Sequence, residues 1–159
     1  MKTVQFQGGT ALKIPPAVVF LVCAGAMRGL DLACPFAAFD FTGRQAAAYA
    51  FFLPGAVLGL GGVATFLFAR TTLHPERPQR ASKLVTTGIY RLSRNPMYAG
   101  LLCVLAGGAL ALGNALALLA PAAFVAYMNR FQIRPEERAL REKFGAAFDA
   151  YARAVRRWL

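Results

Sequence analysis

The chain has 159 residues, 57% of them hydrophobic and only 16% charged, with a mean hydropathy of +0.46. A soluble domain carries about 25% charged residues, so this chain lacks the polar side chains to cover a water-exposed surface. Eighteen Lys and Arg against seven Asp and Glu give a net charge of +11, but the basic residues are segregated from long apolar runs, which argues against a nucleic-acid-binding surface. The length fits one membrane domain. No metal site is expected, because carboxylates are few and His74 is the single histidine. Cys23, Cys34 and Cys103 lie far apart with no ligand spacing and are read as small apolar fillers.

About 20 apolar residues cross the hydrocarbon core as a helix. The first run, residues 14–34, follows Lys2 and Lys13 and imitates a signal peptide. Further spans follow and no small-residue cleavage site intervenes before Arg28, so it is taken as a span. Its prolines, Pro15 and Pro16, fall at the first helical turn, where a missing N–H costs nothing. The second run, residues 45–69, has no charge and is long enough to cross with tilt. Within it Gly55 and Gly59 form a GxxxG pattern that predicts close helix packing, inside one chain or with a second copy in a homodimer. GLGGVA, residues 59–64, matches the letters of a dinucleotide-binding loop, but it sits inside a membrane helix with no strand before it, so no Rossmann fold is expected.

Residues 97–128 are uncharged, too many for one span and too few for two full ones, and Gly113-Asn114 near the middle is a turn dipeptide. A tight hairpin of two short helices is predicted. Residues 135–159 open with Pro135, Glu136 and Glu137, an acidic helix start. Leu140, Phe144, Phe148, Tyr151 and Val155 then recur every three or four residues as one apolar face, which predicts a basic amphipathic helix that Gly145 bends or divides. The fold class is therefore an all-α integral membrane protein with about four transmembrane helices, two spans plus the hairpin, and a C-terminal amphipathic cytoplasmic helix. With both termini cytoplasmic, every basic residue except Arg28 and Arg44 falls on the cytoplasmic side, as the positive-inside rule expects for the inner membrane. Anionic lipid headgroups are natural partners of those segments.

Polar groups are costly at membrane depth, so polar clusters at span ends are the places to look for chemistry. Residues 84–100, LVTTGIYRLSRNPMYAG, and residues 129–140, NRFQIRPEERAL, both fall at the predicted cytoplasmic face and can converge on one pocket. Taken singly, Asn95-Pro96 is a helix start, the tyrosines are interfacial anchors, and Glu136 and Glu137 complement a helix dipole. A non-catalytic membrane subunit or assembly protein would need no more than this.

In combination and in this order, these blocks together with PEERALREKFGAAFDAYARAVRRWL resemble the isoprenylcysteine carboxyl methyltransferase and phospholipid methyltransferase superfamily of integral membrane enzymes, over roughly residues 65–159. The resemblance implies transfer of a methyl group from S-adenosylmethionine, bound at the cytoplasmic side, to a lipophilic substrate entering from the bilayer. It implies that Ser82, Lys83, Leu84 and Val85 line the cofactor, that Tyr90 contacts it, that Asn95, Pro96, Met97 and Tyr98 form its RHPxY-like element, and that Glu136 is its cofactor-binding glutamate. Asn95 stands where many eukaryotic members have histidine. Gln132 falls where carboxyl methyltransferases carry a substrate-side arginine, so Arg134 or Arg130 would take that part. The first acceptor suggested is the carboxylate of an isoprenylcysteine-like compound, oriented by Arg134. For a phospholipid amine, Glu137 or a water would take up the proton, and a thiol is a further alternative. His74, beside Pro75, is read as a loop residue, with a pocket lid as the other reading.

Overall fold

The structure is a computed structural model that describes residues 14–68 and 84–159. Among those residues it is all-α, with six α-helices and short 3-10 turns. Helix α1 (Pro16–Ala33) begins with Pro16 at its first turn, and α2 (Arg44–Phe68) carries Pro54 inside it. Helix α3 (Pro96–Leu112) ends at Gly113, whose left-handed backbone (φ +68°) stops the helix. Asn114 follows, its side chain accepting the Leu116 N–H and starting a 3-10 turn (Ala115–Leu118) that leads into α4 (Leu119–Tyr127). The hairpin expected in the third apolar block is thus present, turned at Gly113-Asn114.

Among the described residues three helices are long and apolar enough to cross a membrane, Pro16–Ala33, Arg44–Thr65 and Ala115–Phe144, and α3 is a shorter apolar partner of 17 residues. Large side chains such as Leu21, Val22, Leu53, Leu60 and Leu67 point outward from α1 and α2, as suits a lipid surround. The interior is a cluster of side chains from α3, α4 and the residues that follow α4, with Leu105, Ala109, Phe124, Met128 and Ile133 at its centre and Val19 and Met27 of α1 against it.

Helix α3 packs most extensively on α2 and turns its other side to α1. The α2 contact is a backbone approach. A Cβ built on Gly100 would stand 2.7 Å from the Gly55 carbonyl oxygen and 2.8 Å from the Gly59 nitrogen. The close helix packing that the pattern predicts is thus made within one chain, between Gly100 of α3 and the Gly55 and Gly59 backbone of α2. Because the obstacle is backbone, Gly100→Ala is expected to cost about 1–3 kcal/mol of stability through forced helix separation. Gly59→Ala, whose Cβ meets nothing within 4 Å, is expected to be tolerated; thermal unfolding in detergent compares the two.

The hairpin end is tied by polar bonds. Arg44 Nη1 donates to the last carbonyls of α3, Leu110 (2.8 Å) and Ala111 (2.6 Å), while its Nε pairs with Asp40 at 2.8 Å. Phe39 N–H donates to the Gly113 carbonyl (2.7 Å), and Asn114 Nδ2 to that of Cys34 (3.0 Å). A basic side chain on the last turn's carbonyls complements the acceptors left at a helix C-terminus.

The other end departs from expectation in two ways. Helix α4 does not stop at Met128 but continues through a π-helical stretch (Met128–Ile133) into α5 (Arg134–Phe144). The stretch includes Phe131, four residues before Pro135, where the proline ring would clash with an α-helical carbonyl. Gly145, with φ +51°, divides the amphipathic helix into α5 and α6 (Ala146–Ala154), one of the two outcomes expected of it, but the helix expected to run to residue 159 ends at Ala154. Residues 155–159 are not helical.

Candidate active site

The loop before α3 is laid against the end of α2. Gly88 has φ +60°, and a Cβ there would sit 3.0 Å from Thr65 Oγ1; Ile89 fills the space beside Gly61. This seating leaves Leu84 and Val85 half-buried and turns Tyr90 inward to 6% exposure. The Tyr90 carbonyl accepts the Tyr151 hydroxyl of α6 at 2.7 Å. Pro96 starts α3, buried, with Met97 half-buried beside it, and Tyr98 reaches into the chain at 6% exposure.

Tyr98 is where the two sequence blocks meet. Its hydroxyl donates to Glu136 Oε1 at 2.9 Å, and the buried Gln132 amide donates to the same oxygen from one turn earlier on the helix. Tyr90 belongs to the same cluster: burial first, then the Tyr151 hydroxyl and the Glu136 carboxylate, push its phenol well above the usual range. Tyr90, Tyr98, Gln132 and Glu136 thus form one buried-to-half-buried group of aromatic rings around a carboxylate.

Glu137, the adjacent residue, points elsewhere. Successive helical residues are about 100° apart, so its carboxylate faces the loop and residue 157. Oε1 accepts from Arg94 Nη2 (2.8 Å) and Arg157 Nε (3.0 Å), and Oε2 from Arg157 Nη2 (2.6 Å). Both Arg94 and Glu137 side chains are only 13% exposed. Burial alone would raise the Glu137 carboxyl, but the Arg157 and Arg94 hydrogen bonds outweigh it and hold the group below the ordinary carboxylate range. A carboxylate so held is a poor proton acceptor and a strong clasp.

Arg94 Nη1 also donates to the carbonyls of Ala152 and Val155, both at 2.7 Å, closing the end of α6. Its Nε is buried and has no hydrogen-bond partner among the described residues. Asn95 Nδ2 donates to the Arg157 carbonyl at 3.0 Å, so Asn95 binds residue 157 rather than capping its own helix.

The expected site residues therefore divide. Leu84, Val85, Tyr90, Asn95, Pro96, Met97, Tyr98 and Glu136 are brought to one end of the bundle. Arg130 and Arg134 lie exposed on the helix that carries Glu136, outside the buried cluster. Ser82, Lys83 and His74 lie outside the described residues. Sequence reasoning missed Arg157, Tyr151 and Trp158, whose long-range partners leave no mark in a local pattern, and treated Gln132 as a departure. Its spacing of four from Glu136 was the available signal.

The described residues form an all-α bundle with a carboxylate set among tyrosines at one end. The phospholipid methyltransferase family profile matches residues 43–147, and the chain belongs to that family. The family lies within the isoprenylcysteine carboxyl methyltransferase-like superfamily of membrane methyltransferases. An uncharacterized protein of Haemophilus influenzae is 46% identical over 63 residues, which are 40% of this chain and the whole of that protein. No solved structure matches.

Proposed function

We propose that the chain transfers a methyl group from S-adenosylmethionine to a lipophilic acceptor that enters from the bilayer. The observation that carries this reading is the Tyr98–Glu136–Gln132 arrangement beside Tyr90, in a chain of a methyltransferase family. The donor set fits the cofactor. Glu136 suits its ammonium or ribose hydroxyls, the tyrosine faces suit a sulfonium or adenine, and the orphaned Arg94 Nε–H suits an acceptor such as its carboxylate. When bound, the cofactor supplies an electrophilic methyl group on a cationic sulfur. The chain's own task is to hold two reactants in line and exclude water, which needs no covalent enzyme intermediate. Tyr98 and Gln132 fix the Glu136 carboxylate, so its orientation is set before a ligand arrives.

Two acceptor classes are supported by different observations. A carboxylate, as of an isoprenylcysteine-like compound, would need a cation, and Arg130 and Arg134 stand exposed one helical turn apart on the helix carrying Glu136. An amine, as the family description suggests, would be accepted beside Glu136 without a buried counter-cation. The charge asymmetry favours the site end in the cytoplasm of an inner-membrane protein. Labelled-methyl transfer in oriented vesicles tests these points together, since the charged donor crosses membranes poorly. Label is expected in inside-out vesicles, as base-labile ester with a prenylated cysteine or as stable N-methyl with phosphatidylethanolamine. Transfer to neither class, or only in right-side-out vesicles, would overturn the corresponding part of the reading.

A further inference from the structure

The chain leaves α6 through an extended Val155 (φ −125°, ψ 134°), and residues 156–159 run back across both segments of the site. Towards the loop, the Arg156 carbonyl accepts the Arg94 N–H at 2.9 Å. The Arg157 carbonyl accepts Asn95 Nδ2 at 3.0 Å and Ser93 Oγ at 3.4 Å. Towards the helix, the Arg157 guanidinium makes its two-point pair with Glu137, and Trp158 Nε1 donates to Asn129 Oδ1 at 3.2 Å. The Trp158 ring packs against the core cluster that includes Tyr98, Met128 and Ile133. One short strap thus bonds on one side to the segment that leads into Tyr98, and on the other to the helix that carries Gln132 and Glu136. It lies beyond the residues that the family profile matches.

We propose that residues 155–159 act as a positioning strap for the donor site, with Arg157 and Trp158 as its positioning residues. By holding residues 93–95 against residues 129–137, the strap sets the Tyr98–Glu136 hydrogen bond on which cofactor binding depends, so strap docking and donor affinity are coupled. The inference rests on the methyltransferase reading.

The test is the split between donor and acceptor parameters in Arg157→Gln, in which Arg94 still pairs with Glu137. Loss of the charged two-point contact is expected to raise KM for S-adenosylmethionine about tenfold, at temperatures where the variant is fully folded, with acceptor KM unchanged and partial rescue in Arg157→Lys. A clasp that only stabilises would lower the unfolding temperature and leave donor KM where it was, and that result would overturn the inference. Trp158 is the chain's single tryptophan. Should Arg157→Gln fail to fold, its emission in the wild-type chain decides: a shift saturating with S-adenosylhomocysteine supports coupling, and no change at calorimetric saturation overturns it. A folded wild-type chain that binds no S-adenosylhomocysteine overturns the donor reading and the strap with it, whereas binding with an unmoved strap overturns the strap alone.

Discussion

Glu136→Ala is expected to weaken S-adenosylmethionine binding by about tenfold to a hundredfold, the range for losing a charge-assisted hydrogen bond of about 1.5–3 kcal/mol. The carboxylate is half-buried, its orientation held by Tyr98 and Gln132. A charge in such a setting acts on a cationic ligand more strongly than one in water. Alanine also leaves the Tyr98 hydroxyl without its acceptor, which costs stability as well as affinity. Glu136→Gln separates the two effects, because its amide oxygen still accepts from Tyr98 while the charge is gone. Its unfolding temperature should stay close to wild type and its donor affinity should fall towards that of the alanine variant. Calorimetric binding and thermal unfolding of the same samples check both.

Glu137→Ala should have its main effect on stability. It strands Arg94, 13% exposed, with its remaining bonds to carbonyls and no counter-charge, and breaking one side of a buried pair typically costs about 3–5 kcal/mol. The pH dependence follows from the depressed carboxyl. Its contribution is fully present above the unfolded value and is lost as pH falls through the folded one, so wild-type stability should decline below about pH 4. Glu137→Gln should lack that acid-dependent loss. Because Glu137 is spent on two arginines, kcat in any folded Glu137→Gln sample should keep its wild-type pH profile. An acid limb of the rate profile that vanished with the substitution would restore Glu137 as the proton acceptor.

The contrast between these neighbouring glutamates shows where the sequence was legible. Spans and hairpin could be read because a bilayer demands uninterrupted apolar length, and Gly113-Asn114 could be read because a left-handed residue followed by a capping amide ends one helix and starts the next. The convergence of Tyr90, Tyr98 and Glu136 could be read because polar groups at span ends need a reason to be there. Which glutamate served which partner could not, since a 100° turn on the helix decides it and the partners lie 38 residues away for Glu136 and 43 and 20 residues away for Glu137. Pro135 looked like a helix start because proline favours first turns, yet here a π-helical stretch admits it inside a continuous helix. Arg156, Arg157 and Trp158 extended a basic amphipathic pattern that hid a non-helical strap, because local periodicity carries no information about bonds to residues 93–95 and 129.

The most direct measurement is calorimetric titration of S-adenosylmethionine into the purified full chain in detergent, beside Glu136→Ala. Saturable binding by the wild type, displaced by S-adenosylhomocysteine and weakened at least tenfold in the variant, is the expected result. A folded wild-type chain that takes up no ligand, or a variant that binds as the wild type does, would contradict a donor site built around Glu136.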